Sequence, residues 1–194
     1  MEVSLDQNIA RKPFIHPKKF IVYLVAVATV MLFAGLSSAY LVSKMSGEWL
    51  EFDLPTGFIY SSVVVILSSL TLHLGYLSLK KNELGLVKIY LTTTLLLAIV
   101  FLLLQFYSFT QIYADNIVLS GRQSNPSGSY LYIITTLHAL HLVAGICFVI
   151  YLLLSLVSGK LSSENSTRYE GCQVFWHFLG GLWLYLYVFF IINH

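Results

Sequence analysis

Four histidines, His73, His138, His141 and His177, stand inside long apolar stretches of this 194-residue chain. Ionisable side chains are rare in hydrocarbon and usually face a partner or a cavity, so these four are the first candidates for chemistry. His138 and His141, three residues apart, share one face of a helix and have the spacing of half a metal site. No intramembrane carboxylate or thiolate pair completes such a site, and no two helices each supply the widely spaced histidine pair that would sandwich hemes. The commoner use of a buried histidine is as a hydrogen-bonding link between helices, and His177 beside Trp176 reads the same way.

Other reactive groups are scarce. Two cysteines exclude a disulfide framework, and Cys147 and Cys172 read as small packing residues. Without CxxC or CxxCH there is no thiol redox pair and no covalently attached heme. The phosphate-cradling GxxxxGK[ST] and the dinucleotide GxGxxG patterns are missing too. Glu170 follows Thr167 as a Thr-x-x-Glu capping box, so its expected task is to open a helix.

The elements that position these residues follow from charge. Between Lys19 and Lys44 lie 24 residues without a formal charge, and similar windows cover 54–79, 89–114, 123–159 and 171–194. A helix needs about 20 mostly apolar residues to cross a bilayer core of roughly 30 Å. The sequence therefore predicts an all-α, polytopic membrane protein with a bundle of five transmembrane helices, at about 20–43, 57–79, 87–113, 129–157 and 171–192. Residues 1–18 form a tail, and 19–194 form one transmembrane domain. The first apolar run is too long for a signal-peptide core and is expected to stay in the protein. Composition agrees, at 57% hydrophobic and 10% charged.

Basic residues near span ends tend to remain in the cytoplasm. Arg11, Lys12, Lys18 and Lys19, then Lys80, Lys81 and Lys88, then Lys160 and Arg168 fall on one side, against Lys44 and Arg122 on the other. The N-terminus is expected to be cytoplasmic, and His194, with the acidic loop Glu48, Glu51 and Asp53, external. A net charge of +2 is too small to suggest a nucleic-acid partner, and the basic residues sit where anionic headgroups would be. Aromatic residues at the span ends, Trp49, Phe52, Tyr107, Tyr113, Trp176, Trp183, Tyr185 and Tyr187, divide between interfacial belts and the interior. Small residues at Ala34/Ser38, Gly35/Ala39, Gly145 and Gly180-Gly181 are expected to bring helices close.

Several of these stretches resemble a known family. Thr136-Leu137-His138-Ala139-Leu140-His141-Leu142-Val143-Ala144-Gly145 is similar to the HxLHxxxG signature of subunit III of heme-copper terminal oxidases. Phe175-Trp176-His177-Phe178-Leu179, with Trp183 and Tyr187, resembles that family's WHFxDxxWxxxxY segment. Glu170 stands seven residues before His177, as the family carboxylate does. Leu103-Leu104-Gln105 matches the LLQ of an earlier helix, and Leu32-Phe33-Ala34-Gly35 with Ala39-Tyr40 is similar to the first core helix. The likeness covers roughly residues 18–192 in uninterrupted order and fits the short, five-helix bacterial form.

The resemblance implies an accessory subunit of a proton-pumping oxidase in a bacterial cytoplasmic membrane, with no cofactor of its own and no catalytic, cofactor-binding or metal-binding residue. It implies a catalytic subunit I that holds the hemes and copper and reduces oxygen to water, further oxidase subunits, and phospholipid in a cleft between helices; membership in a larger respiratory supercomplex stays open. Whether the electron donor is cytochrome c or quinol belongs to other subunits. His138, His141, Glu170, Trp176 and His177 would be structural polar links. Three positions depart from the family pattern: Thr29 stands where relatives carry a membrane-embedded acid, Ser108 where a carboxylate follows LLQ, and Gly180 at the acid of WHFxD. Two rival classes are a heme-binding electron-transfer subunit, which would need more ligands, and a small transporter, which would be expected to show broken helices or an internal repeat.

Overall fold

The computed structural model describes residues 17–45, 49, 54–114, 125–159, 161 and 166–193. Among them are five helices and no strand: α1 (Pro17–Lys44), α2 (Gly57–Lys80), α3 (Leu84–Ala114), α4 (Pro126–Val157) and α5 (Thr167–Asn193). Each is long and apolar enough to cross a membrane. Most of the N-terminal tail, the acidic loop, Phe52, Arg122, Lys160 and His194 lie outside the described residues.

The helices overrun the expected spans mainly at their N-termini: α3 and α4 start three residues before 87 and 129, and α5 four residues before 171. Hydropathy marks the hydrocarbon, whereas a helix stops only where something replaces its backbone hydrogen bonds. At α4 that replacement is Asn125, whose Oδ1 accepts from the Ser127 N–H at 3.1 Å, with Pro126 as the first helical residue. After α2 the chain reverses through Asn82 at φ +60°, and Glu83 N–H reaches back to Ser78 O at 3.0 Å. That left-handed residue closes the orphan carbonyls and turns directly into α3.

Short connections make an up-and-down bundle. The α2/α3 hairpin is the most extensive pairing, and α3/α4, α4/α1, α1/α5 and α5/α2 complete a ring in which α5 also touches α4. Consequently α5 is the most enclosed helix and α1 the most exposed. Lys19, Lys80, Lys81, Lys88 and Arg168 belong to one end of the bundle, called the basic end below.

The outside is apolar, as lipid requires: Met31, Phe106 and Ile192 are about 70% exposed. Inside, apolar side chains gain nothing over lipid tails, so close packing and hydrogen bonds hold the helices. Gly75 is one contact point, since a Cβ there would come within 2.3 Å of the Tyr169 hydroxyl, which donates to Leu72 O at 2.9 Å. Gly145 is another, packed on Leu179 and the Trp176 ring. The expected glycine packing does not extend to Gly35 and Gly181, which face open space. Trp176 and Trp183 are interior residues, whereas Tyr107, Tyr113 and Tyr185 stay exposed. Cys172 is buried and Cys147 is on the surface, both free.

Candidate functional site

Polar side chains gather along the contact between α5 and α2, beginning at the basic end. Glu170 accepts from the Tyr76 hydroxyl at 2.9 Å and from the Ser166 hydroxyl at 2.8 Å, while its other oxygen is paired with the Lys19 ammonium. One carboxylate thus ties α1 and α2 to the start of α5. The capping box expected of Thr167 and Glu170 does not form. The helix starts at Thr167 itself, which places that hydroxyl inside the first turn instead of ahead of it, and Ser166 takes the contact with Glu170. The Lys80 ammonium, 4.7 Å from the centre of the Tyr76 ring, extends the cluster outward.

One to two turns further into the bundle, Gln173 and His177 on α5 face Ser69 and His73 on α2. The Gln173 amide donates to His73 Nδ1 at 2.7 Å and to His177 Nε2 at 3.2 Å, and His177 Nδ1 meets the Ser69 hydroxyl. With Nε2 accepting, neutral His177 carries its proton on Nδ1 and donates to Ser69. It therefore has no lone pair free to act as a base toward that hydroxyl, and the contact ties two helices instead of forming a nucleophile. Deeper still, Trp176 Nε1 donates to Ser68 Oγ at 3.2 Å and Trp183 Nε1 to Ser62 Oγ at 3.1 Å. Ser68 and Ser62 in turn donate to Val65 O and Phe58 O. On the α3 side, Gln105 donates to Ser61 Oγ at 3.0 Å and Thr71 meets Thr94 at 2.9 Å.

The α4 histidines lie elsewhere. His138 is fully buried and neither ring nitrogen has a hydrogen-bond partner among the described residues. It touches its neighbours through ring faces and edges: Trp183 at 5.3 Å, Phe101 at 6.1 Å and Phe33 at 6.4 Å between centroids. The His141 ring also meets Phe33, at 5.7 Å, but its Nδ1 donates to Leu137 O of its own helix at 2.7 Å. Neither makes an interhelical hydrogen bond with a described residue. Among those residues no three histidine, cysteine or acidic side chains come together as a metal would need.

The three positions at which the resemblance leads to an acid are each filled locally. Thr29, buried, donates to Val25 O at 2.8 Å, the bond that a hydroxyl inside an apolar helix is expected to make. Ser108 donates to Leu104 O at 2.9 Å and packs on Gly57, where a Cβ would fall 2.2 Å from its oxygen. Gly180 is buried with Val65 beside it. On the outer face, an apolar hollow of about 500 Å³ between α1 and α5 is lined by Val30, Phe33, Ala34, Phe178, Gly181 and Tyr185.

Reading the sequence alone missed Lys19, Tyr76, Ser69 and Gln173 as partners of Glu170 and His177. A signal existed for Ser69 and Gln173 alone: Ser69/His73 on one span and Gln173/His177 on another repeat the i, i+4 spacing of a polar helix face, whereas nothing local marked Lys19 or Tyr76.

Five membrane-crossing helices pinned by side-chain hydrogen bonds define a polytopic membrane protein of the bundle class. Residues 14–193 match the family of cytochrome c oxidase subunit III, and the chain belongs to that family. It is 27% identical to the cytochrome c oxidase subunit 3 of Corynebacterium diphtheriae, over 82% of this chain and 80% of that one. The Synechocystis protein of the same name is 27% identical over 89% of this chain and 75% of its own. Cytochrome bo(3) ubiquinol oxidase subunit 3 of Buchnera aphidicola is 23% identical, over 91% and 86%.

Proposed function

We propose that this chain is the accessory, cofactor-free subunit III of a proton-pumping heme-copper terminal oxidase, a multi-pass protein of a bacterial cytoplasmic membrane with its N-terminus inside. Its task is to stabilise the catalytic subunit, bind lipid and support proton uptake while that subunit reduces oxygen to water. The carrying observation is the family match over residues 14–193, and the polar inventory supports it. Glu170, His177, Trp176 and their partners are spent on one another as ties between helices, so no residue here is assigned to catalysis. The hollow between α1 and α5 suits a phospholipid acyl chain, being apolar and open beside Gly181.

Gentle-detergent purification through a tag on this chain should bring down a heme- and copper-containing partner, and the chain isolated afterwards should show no heme absorption. Stoichiometric heme or copper in the isolated chain would replace this reading with an electron-transfer protein. Recovery of the chain without any redox partner would point to a transporter.

A further inference from the structure

We infer that the α2/α5 seam around His73 is the face against which a transmembrane helix of a redox partner subunit docks, offering a hydrogen-bond acceptor to His73 Nε2. The inference rests on the proposed membership in an oxidase complex. His73 is the one intramembrane histidine that α2 presents outward, on a stripe with the exposed side chains of Ile66, Leu70 and Leu77. Its Nδ1 accepts from Gln173, so the neutral ring carries its proton on Nε2, and no described residue accepts that proton. Gln173 and His177, both half-buried, continue the polar strip beside it.

Depth turns this donor into a signal. His73 precedes Lys80 by seven residues of unbroken helix, which at the α-helical rise sets it about 10 Å below the level of Lys80, among acyl chains. Neither water nor a lipid tail offers an acceptor there, and a bare N–H in hydrocarbon is costly. The apolar stripe above and below suits a helix, and the single donor suits one carbonyl, hydroxyl or carboxylate on it. An acyl chain would cover the leucines equally well but would leave the N–H unmatched, so the polar strip favours protein over lipid.

Photoreactive phenylalanine placed at Leu70 and Leu77 in the membrane-embedded complex should cross-link to the redox partner, whereas Leu103 and Leu140, exposed on α3 and α4, should not. His73→Leu should lower retention of the chain in the purified complex roughly tenfold, the ratio set by one interhelical hydrogen bond, and His73→Gln, which keeps a donor, should restore it. The isolated His73→Leu chain loses the bond from Gln173 and should melt slightly lower than the parent, so the cross-linking pattern from Leu70 and Leu77 is the readout that separates a lost docking contact from this loss of stability. Cross-links to phospholipid alone, to a second copy of this chain, or to the partner from Leu103 and Leu140 in place of Leu70 and Leu77 would overturn the docking face. So would unchanged retention of His73→Leu. A parent chain that copurifies with no redox partner sinks the proposed function as well, which separates the two failures.

Discussion

His138 and His177 sit on neighbouring helices of one bundle and are held in opposite ways. His177 is half-buried with both nitrogens engaged, by Ser69 and Gln173, and works as a polar tie between α2 and α5. His138 is sealed among Trp183, Phe101 and Phe33 with neither nitrogen engaged by a described residue. The same side chain thus contributes directional hydrogen bonds in one place and a flat aromatic surface in the other. Inside a membrane bundle, burial alone does not identify a histidine's task; the groups across from its nitrogens do.

The largest effect should come from opening the His138 cage. Trp183 is fully buried, lies tilted against His138, meets Phe58 and Phe101 edge-on, and donates to Ser62. Trp183→Ala should cost about 3–5 kcal/mol, combining lost contacts, a cavity and a freed hydroxyl. Denaturant titration of the purified chain in mild detergent measures it. A loss under about 1 kcal/mol would show that the cage collapses freely and is not a packed unit.

Smaller, and of opposite sign, are the effects expected at the two histidines. His177→Ala should cost on the order of 1 kcal/mol, as interhelical hydrogen bonds in membranes do, with poorer retention in the complex as the visible outcome. His138→Leu removes two buried nitrogens without removing their volume and should be neutral or slightly stabilising in the same titration. If His138→Leu proved the more damaging of the two, His138 would have a polar partner within the folded chain, and the two histidines would not differ in kind. Normal copurification of His177→Ala with complete loss of oxidase turnover would instead demand a catalytic role for that ring.

The helices were legible because charge exclusion from hydrocarbon acts on every residue, so a run such as 89–114 announces a span by itself. Their ends were less so, because Asn125 and Asn82 close helices through local geometry that hydropathy does not register. Among site residues, Glu170 and His177 stood out as ionisable groups near or inside spans. Their partners did not, since the Lys19 and Glu170 pairing joins residues 151 apart, and nothing local fixes which helices meet. The i, i+3 spacing of His138 and His141 suggested one shared role. Three residues advance a helix by about 300°, leaving the two rings about 60° apart. That difference turns His138 into the centre and leaves His141 at the edge of α4, bonded to Leu137.

The smallest effect is expected at Thr29, and it tests whether this position, where the resemblance leads to a membrane-embedded acid, does any of an acid's work. A carboxyl at this buried site could exchange a proton or react with an apolar carbodiimide, but a hydroxyl cannot titrate in that range. Thr29 has satisfied its one donor on Val25 O, within its own helix, so it neither ties α1 to another helix nor offers a proton to one. Thr29→Val keeps the branched shape and removes only that internal bond, whose carbonyl still accepts the helical N–H of residue 29. Oxidase turnover and proton-uptake rate in the assembled complex should therefore stay unchanged, and no carbodiimide adduct should form on residues 20–43. A marked fall in either rate for Thr29→Val would mean that the hydroxyl hydrogen-bonds beyond α1 during turnover, joining this helix to the polar seam rather than leaving it an inert wall.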